Sequence, residues 1–326
     1  MAEIRVDPMT GDRVVVAGER AGRPNAGLAV EPAPAIDAAS DPFAPGHEDR
    51  TPPEVWALRE DGSGPDTPGW RVRVVPNLYP AFEPAAGEPE RSAAPDLYTA
   101  YPARGSHEVI INAPDAVTSL ADLPLEQVVT AAGAWRERMR AHAGAAHVHL
   151  IVNERSEAGA SLPHTHAQLY ALEFVPHVVA RERERFAAYA TRTMGGNLLA
   201  DLVQAEVRGR DRIVAIDDEA VLMAPYGSRL PYQLMLAPRQ ARPRFEDDGP
   251  LGAALLHDGL RRLARRFGAS PPLNLWVRTA PRHAEHFCWR IDVVPRLTNV
   301  AGLELGTGVH MNIVAPERAA AELRDA

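Results

Sequence analysis

The chain has 326 residues, 45% hydrophobic and 24% charged, which is enough apolar material for one large or two smaller domains. A formal net charge of −8, with no basic block and no Arg/Lys stripe interleaved with aromatics, argues against nucleic acid as the main partner. No apolar run approaches bilayer length, no hydrophobic leader follows Met1, and the single cysteine, Cys288, cannot form an intrachain disulfide; a cytoplasmic protein that does not enter the membrane is expected.

Proline punctuates the first third: over 24–53 and 76–95 neither a helical nor an alternating period persists, so these stretches are expected to be loops that cover the fold or meet a substrate. Alternating or continuous apolar runs predict strands over 72–75, 108–111, 148–152 and 168–171, then over 212–216, 221–224, 233–236, 273–278 and 289–294. Helical spacing predicts helices over 125–142, 178–194, 198–208, 252–267 and 317–325. The order of elements is α+β, antiparallel sheet with flanking helices, in two similar halves, 1–195 and 196–326, that meet near 193–197. The strand at 168–171 is echoed by the one at 289–294, with Cys288, Arg290 and Asp292 on the alternating face.

The chemistry concentrates at His164-Thr165-His166-Ala167-Gln168, which follows Asn153 and the small-residue run Gly159-Ala160-Ser161. In an extended segment His164, His166 and Gln168 share one face, and apolar neighbours such as Leu169 and Ala171 pack around them. An imidazole attacks phosphorus if its far nitrogen keeps the lone pair, which requires the near nitrogen to donate its proton to a fixed acceptor. His166, in mid-segment, is the better candidate. The Ser161 hydroxyl, the Gln168 amide and the backbone N–H groups of Gly159, Ala160 and Ser161 are candidates to hold phosphoryl oxygens. An isolated His-x-His pair would instead read as a solvated strand or a metal site.

The set Asn153, Gly159, Ala160, Ser161, His164, His166 and Gln168 resembles the signature of the galactose-1-phosphate uridylyltransferase family, within the histidine-triad superfamily. Other segments follow in the same order: Arg5-Val6-Asp7-Pro8-Met9-Thr10-Gly11-Asp12 with Arg20-Ala21-Gly22-Arg23-Pro24, Pro45-Gly46-His47-Glu48, Trp70-Arg71-Val72-Arg73-Val74-Val75-Pro76-Asn77-Leu78-Tyr79-Pro80, and Gly105-Ser106-His107-Glu108-Val109. The tail, from Ala301-Gly302-Leu303-Glu304 through Pro316-Glu317 to Leu323-Arg324, resembles the branch that includes ADP-glucose phosphorylase. The resemblance implies a duplicated histidine-triad-like fold in which the first copy keeps the catalytic histidines, a nucleotide contact at Asn77, a phosphate or ribose contact at Asn153, and a homodimer.

The departures concern metals. Where the family usually has Cys-x-x-Cys, this chain reads Asp41-Pro42-Phe43-Ala44, and a structural zinc is not expected; Asp41, His107 and His164 remain as residual candidates. The family's second metal position reads Arg278 and Arg290, with Glu182 as its one surviving ligand, and guanidinium groups repel a divalent cation. The expected substitute is an ion pair of the arginines with Glu182 or Asp292, the alternative being an anion-reading role. Thr165 replaces a proline and keeps the extended backbone. His147 and His149 alternate on one strand and are expected to face a neighbouring strand or solvent, and His283, His286 and His310 match no role.

The resemblance implies a nucleotidylyltransferase working by double displacement, like a hexose-1-phosphate uridylyltransferase. His166 would attack the α-phosphorus of a nucleoside-diphosphate-sugar donor, and a phosphate acceptor would reverse the step without any cofactor. Phosphorolysis of an ADP-sugar, a dinucleoside polyphosphate or adenylyl sulfate is the alternative within the same chemistry, and a retired nucleotide-binding module the alternative outside it.

Overall fold

The computed structural model describes residues 2–19, 28–88, 90, 94 and 97–326. The Arg20-Ala21-Gly22-Arg23-Pro24 part of the opening motif lies outside them, as do Pro24 and Pro95 at the ends of the proline-rich stretches.

In chain order the elements are β1 (Glu3–Val6), β2 (Arg13–Val16), β3 (Trp56–Arg59), β4 (Trp70–Pro76), β5 (Gly105–Ile111), α1 (Leu125–Ala141), β6 (His147–Glu154), β7 (His166–Leu172), α2 (His177–Arg192) and α3 (Leu198–Gly209). There follow β8 (Ile213–Ile216), β9 (Ala220–Met223), β10 (Leu234–Pro238), α4 (Ala253–Phe267), β11 (Leu273–Arg278), β12 (Arg290–Pro295), α5 (Gly302–Thr307), β13 (His310–Asn312) and α6 (Pro316–Arg324). The nine expected strands and five expected helices are all present, with small shifts of boundary. The elements without a sequence expectation are short: β1, β2 and β3 have four residues each, β13 has three and α5 has six. Runs of that length do not establish a period of 2 or 3.6.

Ten strands form one antiparallel sheet in the order β3-β4-β5-β7-β6-β11-β12-β10-β9-β8. Read from either edge inward, each half lists its five strands as first, second, third, fifth, fourth, with a long helix, α1 or α4, between the third and the fourth. The halves meet where β6 pairs with β11, from Leu273 opposite Glu154 to Val277 opposite Leu150. The fold is thus a duplicated α+β unit built around one continuous sheet. A separate three-stranded sheet, β1-β2-β13, holds the two ends of the chain together.

Alternation along the central strands separates two faces. Leu150, Val152, Ala167, Leu169, Leu275, Val277, Ile291 and Val293 point into a core shared with Trp135 and Met139 of α1 and Leu256, Leu260 and Leu263 of α4. Trp135 is fully buried, worth about 1.5–3 kcal/mol for its ring, and its indole N–H donates to Asn112 Oδ1 at 2.9 Å, so the burial leaves no orphan donor. The intervening residues, among them His149, Asn153, His166, Gln168, Tyr170, Asn274, Trp276, Arg278, Arg290 and Asp292, share the second face. Over β9 and β10 that face is apolar and packs under α2 and α3 through Phe186, Leu199, Val203, Val221, Met223, Met235 and Ala237, a cluster with no residue of β5, β6 or β7.

Between α2 and α3 the chain turns at Met194, whose φ of 56° is left-handed, and at Gly195, and α3 begins where the Asn197 side chain accepts from the Ala200 N–H.

Candidate active site

The segment that carries the histidines starts β7. His166 is its first residue and pairs with Ile111 of β5, in the middle of the first half's sheet. A cavity of about 480 Å³ opens above it, lined by His166, Gln168, Ser161, Asn77, Phe43 and Arg50 among others. Its floor combines apolar residues of β4 and β5, Val75 and Val109, with His166 and Gln168 of β7, and its wall is the proline-rich stretch 42–52.

Within this site His166 is 5% exposed. Its Nδ1 lies 2.8 Å from the carbonyl oxygen of His164. A carbonyl only accepts, so Nδ1 carries the proton and Nε2 keeps its lone pair on the cavity side. Burial and the neighbouring His164 ring push His166 below the ordinary histidine range, against the His164 carbonyl and Asp41, which raise it. The neutral, nucleophilic form is therefore the favoured one. Phe43 packs edge-on against both rings, with centroids 5.4 Å from His166 and 6.0 Å from His164, and restricts their rotation.

His164 is fully buried and belongs to the support of the site. Its Nδ1 donates to Asp41 Oδ2 at 2.6 Å and its Nε2 to the Ala113 carbonyl at 2.9 Å. Both nitrogens face oxygen atoms, and neither is left for a ligand. Burial raises Asp41, but the hydrogen bonds from His164 and from the Phe43 N–H more than offset this and hold it below the usual carboxylate range.

His107, grouped with Asp41 and His164 in the sequence as a residual metal candidate, does not join them. It pairs with Tyr170 across β5 and β7, four residues and roughly 13 Å of strand from His166. The Ala81 N–H donates to its Nδ1, so its Nε2–H donates to Gln168 Oε1 at 2.9 Å. Among the described residues no group of three His, Cys, Asp or Glu side chains is placed to hold a metal. With both ring nitrogens of His164 engaged, the donor set at Asp41 does not fit one.

Gln168 Oε1 accepts from both His107 and the Tyr170 hydroxyl, the latter at 2.9 Å. Its carbonyl is thereby occupied and its NH₂ group is the part left to serve the cavity. Asn77 is fixed by its Oδ1 accepting from the Tyr79 N–H at 2.8 Å.

The run Gly159-Ala160-Ser161 contributes less than its sequence suggests. The Gly159 N–H donates to the Ser156 carbonyl and the Ala160 N–H to the Arg155 carbonyl, so neither amide is free for a phosphoryl oxygen. Gly159 has φ of 90°, which explains the glycine, and the tight turn delivers Ser161 to the cavity. Asn153, next in register to the Val152–Ala167 pair, sits opposite His166 on β6. Its Oδ1 accepts from Asn274 Nδ2 at 2.8 Å, and the same Asn274 group lies 2.7 Å from the Ala158 carbonyl. Neither asparagine lines the cavity; Asn274 stands on β11, so the second half holds Asn153 through a residue with no motif to flag it. Phe43 was legible only as a gap in a metal motif.

At the corresponding place in the second half, β12 begins with Arg290 as β7 begins with His166. Arg290 directs Nη1 and Nη2 at the two oxygens of Glu182, each at 3.1 Å, and Nε at Asp292 Oδ2 at 3.0 Å. An ion pair with Glu182 or Asp292 was the expectation, and Arg290 makes it with both. Arg278 lies nearby with Nε 3.4 Å from Glu182 Oε2. His147 and His149 are pushed down to about 3 by burial and by Arg278, which keeps both rings neutral.

Residues 1–176 match the family model described as galactose-1-phosphate uridyl transferase, N-terminal domain. The chain belongs to the galactose-1-phosphate uridyl transferase family. A second model, a domain of unknown function (DUF4921), matches 127–325. The chain is 27% identical to ADP-glucose phosphorylase of Arabidopsis thaliana over 99% of its own length and 92% of the relative's. It is 26% identical to galactose-1-phosphate uridylyltransferase of Cryptococcus neoformans var. neoformans over 98% and 89%. Its fold superposes on the crystal structure of the Arabidopsis thaliana ADP-glucose phosphorylase with bound ADP-glucose with a TM-score of 0.82, at 25% identity, covering 100% of this chain and 99% of that one. Like these family relatives, the chain is a nucleotidyltransferase. Among the described residues no helix is long and apolar enough to cross a membrane.

Proposed function

We propose that this chain transfers a nucleotidyl group by double displacement, through a covalent nucleotidyl-histidine on His166. The observation that carries the reading is the hydrogen bond from His166 Nδ1 to the His164 carbonyl, which leaves Nε2 as a lone pair facing a cavity of about 480 Å³. In the first step Nε2 attacks the α-phosphorus of a nucleoside diphosphate sugar. A P–N bond forms, the bridging P–O bond breaks, and the sugar phosphate leaves as an anion without needing a proton. In the second step an oxygen of a phosphate acceptor attacks the same phosphorus and His166 leaves. The Gln168 NH₂ and the Ser161 hydroxyl donate to the equatorial oxygens as charge redistributes, and Asn77 contacts the nucleotide. No lysine and no metal is required.

A hexose 1-phosphate uridylyl exchange is the reading closest to the family model. The tail motif and the near full-length match to an ADP-glucose phosphorylase support a second one, in which the donor is an ADP-sugar and inorganic phosphate the acceptor. We further propose that neither former metal position holds zinc, since His164 has no free nitrogen and the second position holds two guanidinium groups. We place the protein in the cytoplasm as a homodimer.

The test is kinetic. Initial rates with donor and acceptor both varied are expected to give parallel reciprocal plots, and labelled sugar phosphate is expected to exchange into the donor without acceptor. Intersecting plots with no exchange would exclude a covalent intermediate.

A further inference from the structure

The second face of the sheet carries a concentration of buried donors with no acceptor, away from the nucleophile. Trp276 Nε1 and Arg278 Nε, two residues apart on β11, are both buried and without a hydrogen-bond partner. Arg229 stands over the Trp276 ring, its guanidinium carbon 5.6 Å from the ring centroid. Among the described residues, that guanidinium has no hydrogen bond or ion pair. Indole and guanidinium groups only donate, so neither can satisfy another member of this set. Leaving a buried donor unmade is costly, so two on one strand beside an unpaired guanidinium point to an acceptor that comes from elsewhere.

The charge balance points the same way. Glu182, Asp292 and Asp7 are the carboxylates near this face: Arg290 engages both oxygens of the first and one of the second, and Asp7, which burial pushes above the usual carboxylate range, accepts from the Met9 N–H and the Thr10 hydroxyl. Arg278 is left with a single loose contact, 3.4 Å from an oxygen that already serves Arg290. Arg278 and Arg229 therefore stand beside a mostly buried face without a carboxylate of their own, with Arg278 only 9% exposed. A neutral sugar hydroxyl would accept a hydrogen bond here but would leave that charge uncompensated; an oxyanion does both.

We propose that Trp276, Arg278 and Arg229 form a second oxyanion subsite, separate from the phosphoryl-transfer cavity, that takes a phosphate, sulfate or carboxylate group. Trp276 pairs with Ile151 of β6, and Ile151 with Gln168 of β7, so two strand spacings, roughly 10 Å, separate the subsite from the Gln168 strand. That distance excludes the anion from attack at the α-phosphorus. It allows either an anionic group at the far end of a bound substrate or a free inorganic anion. The inference goes beyond the nucleotidyl-transfer reading and does not rest on which donor is used.

The test titrates sodium sulfate and sodium phosphate into the full chain by calorimetry at constant ionic strength, with chloride as the balancing anion. The expected result is a binding isotherm that persists in His166→Ala, weakens at least tenfold in Arg278→Gln and in Arg229→Gln, and weakens several-fold in Trp276→Phe, which keeps the ring and removes the donor. The last two variants stand if Arg278→Gln misfolds beside Glu182. Repeating the titration with each donor of a nucleotide-sugar panel bound separates the sources: displacement of sulfate assigns the subsite to a substrate-borne anion, and simultaneous binding assigns it to a free one. No isotherm in the wild-type protein, or one unchanged by Arg229→Gln and Trp276→Phe, overturns the proposal. The second of these results would place the anion in the catalytic cavity, and the first is also what acceptors supplied by a second copy of this chain would produce.

Discussion

Two histidines two residues apart do different work because their nitrogens meet different partners. His166 has one nitrogen tied and one free, whereas His164 has none free. Removing the Asp41 carboxylate leaves a fully buried ring facing one acceptor where it had two. Asp41→Ala is therefore expected to lower unfolding free energy by about 3–5 kcal/mol, read from the urea midpoint at an unchanged slope. A loss below 1 kcal/mol would mean that the pair is solvated in solution. The Gln168 amide is a donor of the kind whose removal typically costs roughly 100-fold or more. Gln168→Ala is expected to slow nucleotidyl transfer by that order, with fold and stability retained. For pH the sign follows from burial: His166 is depressed below the ordinary histidine range, so its neutral form survives into more acid solution than a free histidine's would. The acid limb of the rate against pH is expected below the usual histidine value; a limb above it would indicate that His166 is held protonated. At this scale His166, Gln168, Ser161 and Asn77, which alternation and motif single out in the sequence, line one cavity. The sequence misplaced His107 and overrated the Gly159 and Ala160 amides, because strand register and turn hydrogen bonds are tertiary facts that spacing does not reveal.

Among the elements, β12 and α2 are tied together by a buried ion pair. Arg290 bridges Glu182 of α2 and Asp292 of its own strand while almost fully buried, and so cross-links helix and sheet. Breaking it from one side leaves an uncompensated buried charge, so Glu182→Leu is expected to cost about 3–5 kcal/mol, whereas replacing both partners with apolar side chains costs much less. Non-additivity of that double variant in urea unfolding is the check, and additivity would show that the two residues act independently. On β6, His147 has both ring nitrogens unpartnered, and His147 and His149 stay neutral down to about 3. The folded state then binds fewer protons than the unfolded one between roughly pH 6.5 and pH 3, so this stability is present above the unfolded histidine value and is lost as pH falls through that window. His147→Leu is expected to flatten the slope of unfolding free energy with pH by up to about 1.4 kcal/mol per unit in that window. An unchanged slope would show that His147 titrates normally. Strands and helices of moderate length were legible from their periods. The short strands of the terminal sheet were not, because they are fixed by pairing with each other across almost the whole chain, Val14 with His310 for example.

For the molecule as a whole, duplication was legible as an order of elements but not as a geometry. The sequence suggests two units, and the structure joins them edge to edge into one ten-stranded sheet over one core that takes side chains from both α1 and α4. We take the division at 195 and 196 as marking the two copies of the unit. Because β6 and β11 complete each other's hydrogen bonds, unfolding monitored separately at Trp135 and at Trp289 is expected to give coincident transitions. The join also brings Asn274 of the second half against Asn153 of the first. The central claim is that His166 becomes covalently nucleotidylated, and intact mass after incubation with UDP-sugars, ADP-sugars, diadenosine polyphosphates and adenylyl sulfate, quenched in mild alkali, tests it most directly. A uridylyl or adenylyl increment that is present in the wild-type protein and absent in His166→Ala is the expected result, and it names the donor base. Turnover of any of these donors without an increment, or with an increment that survives His166→Ala, would contradict it.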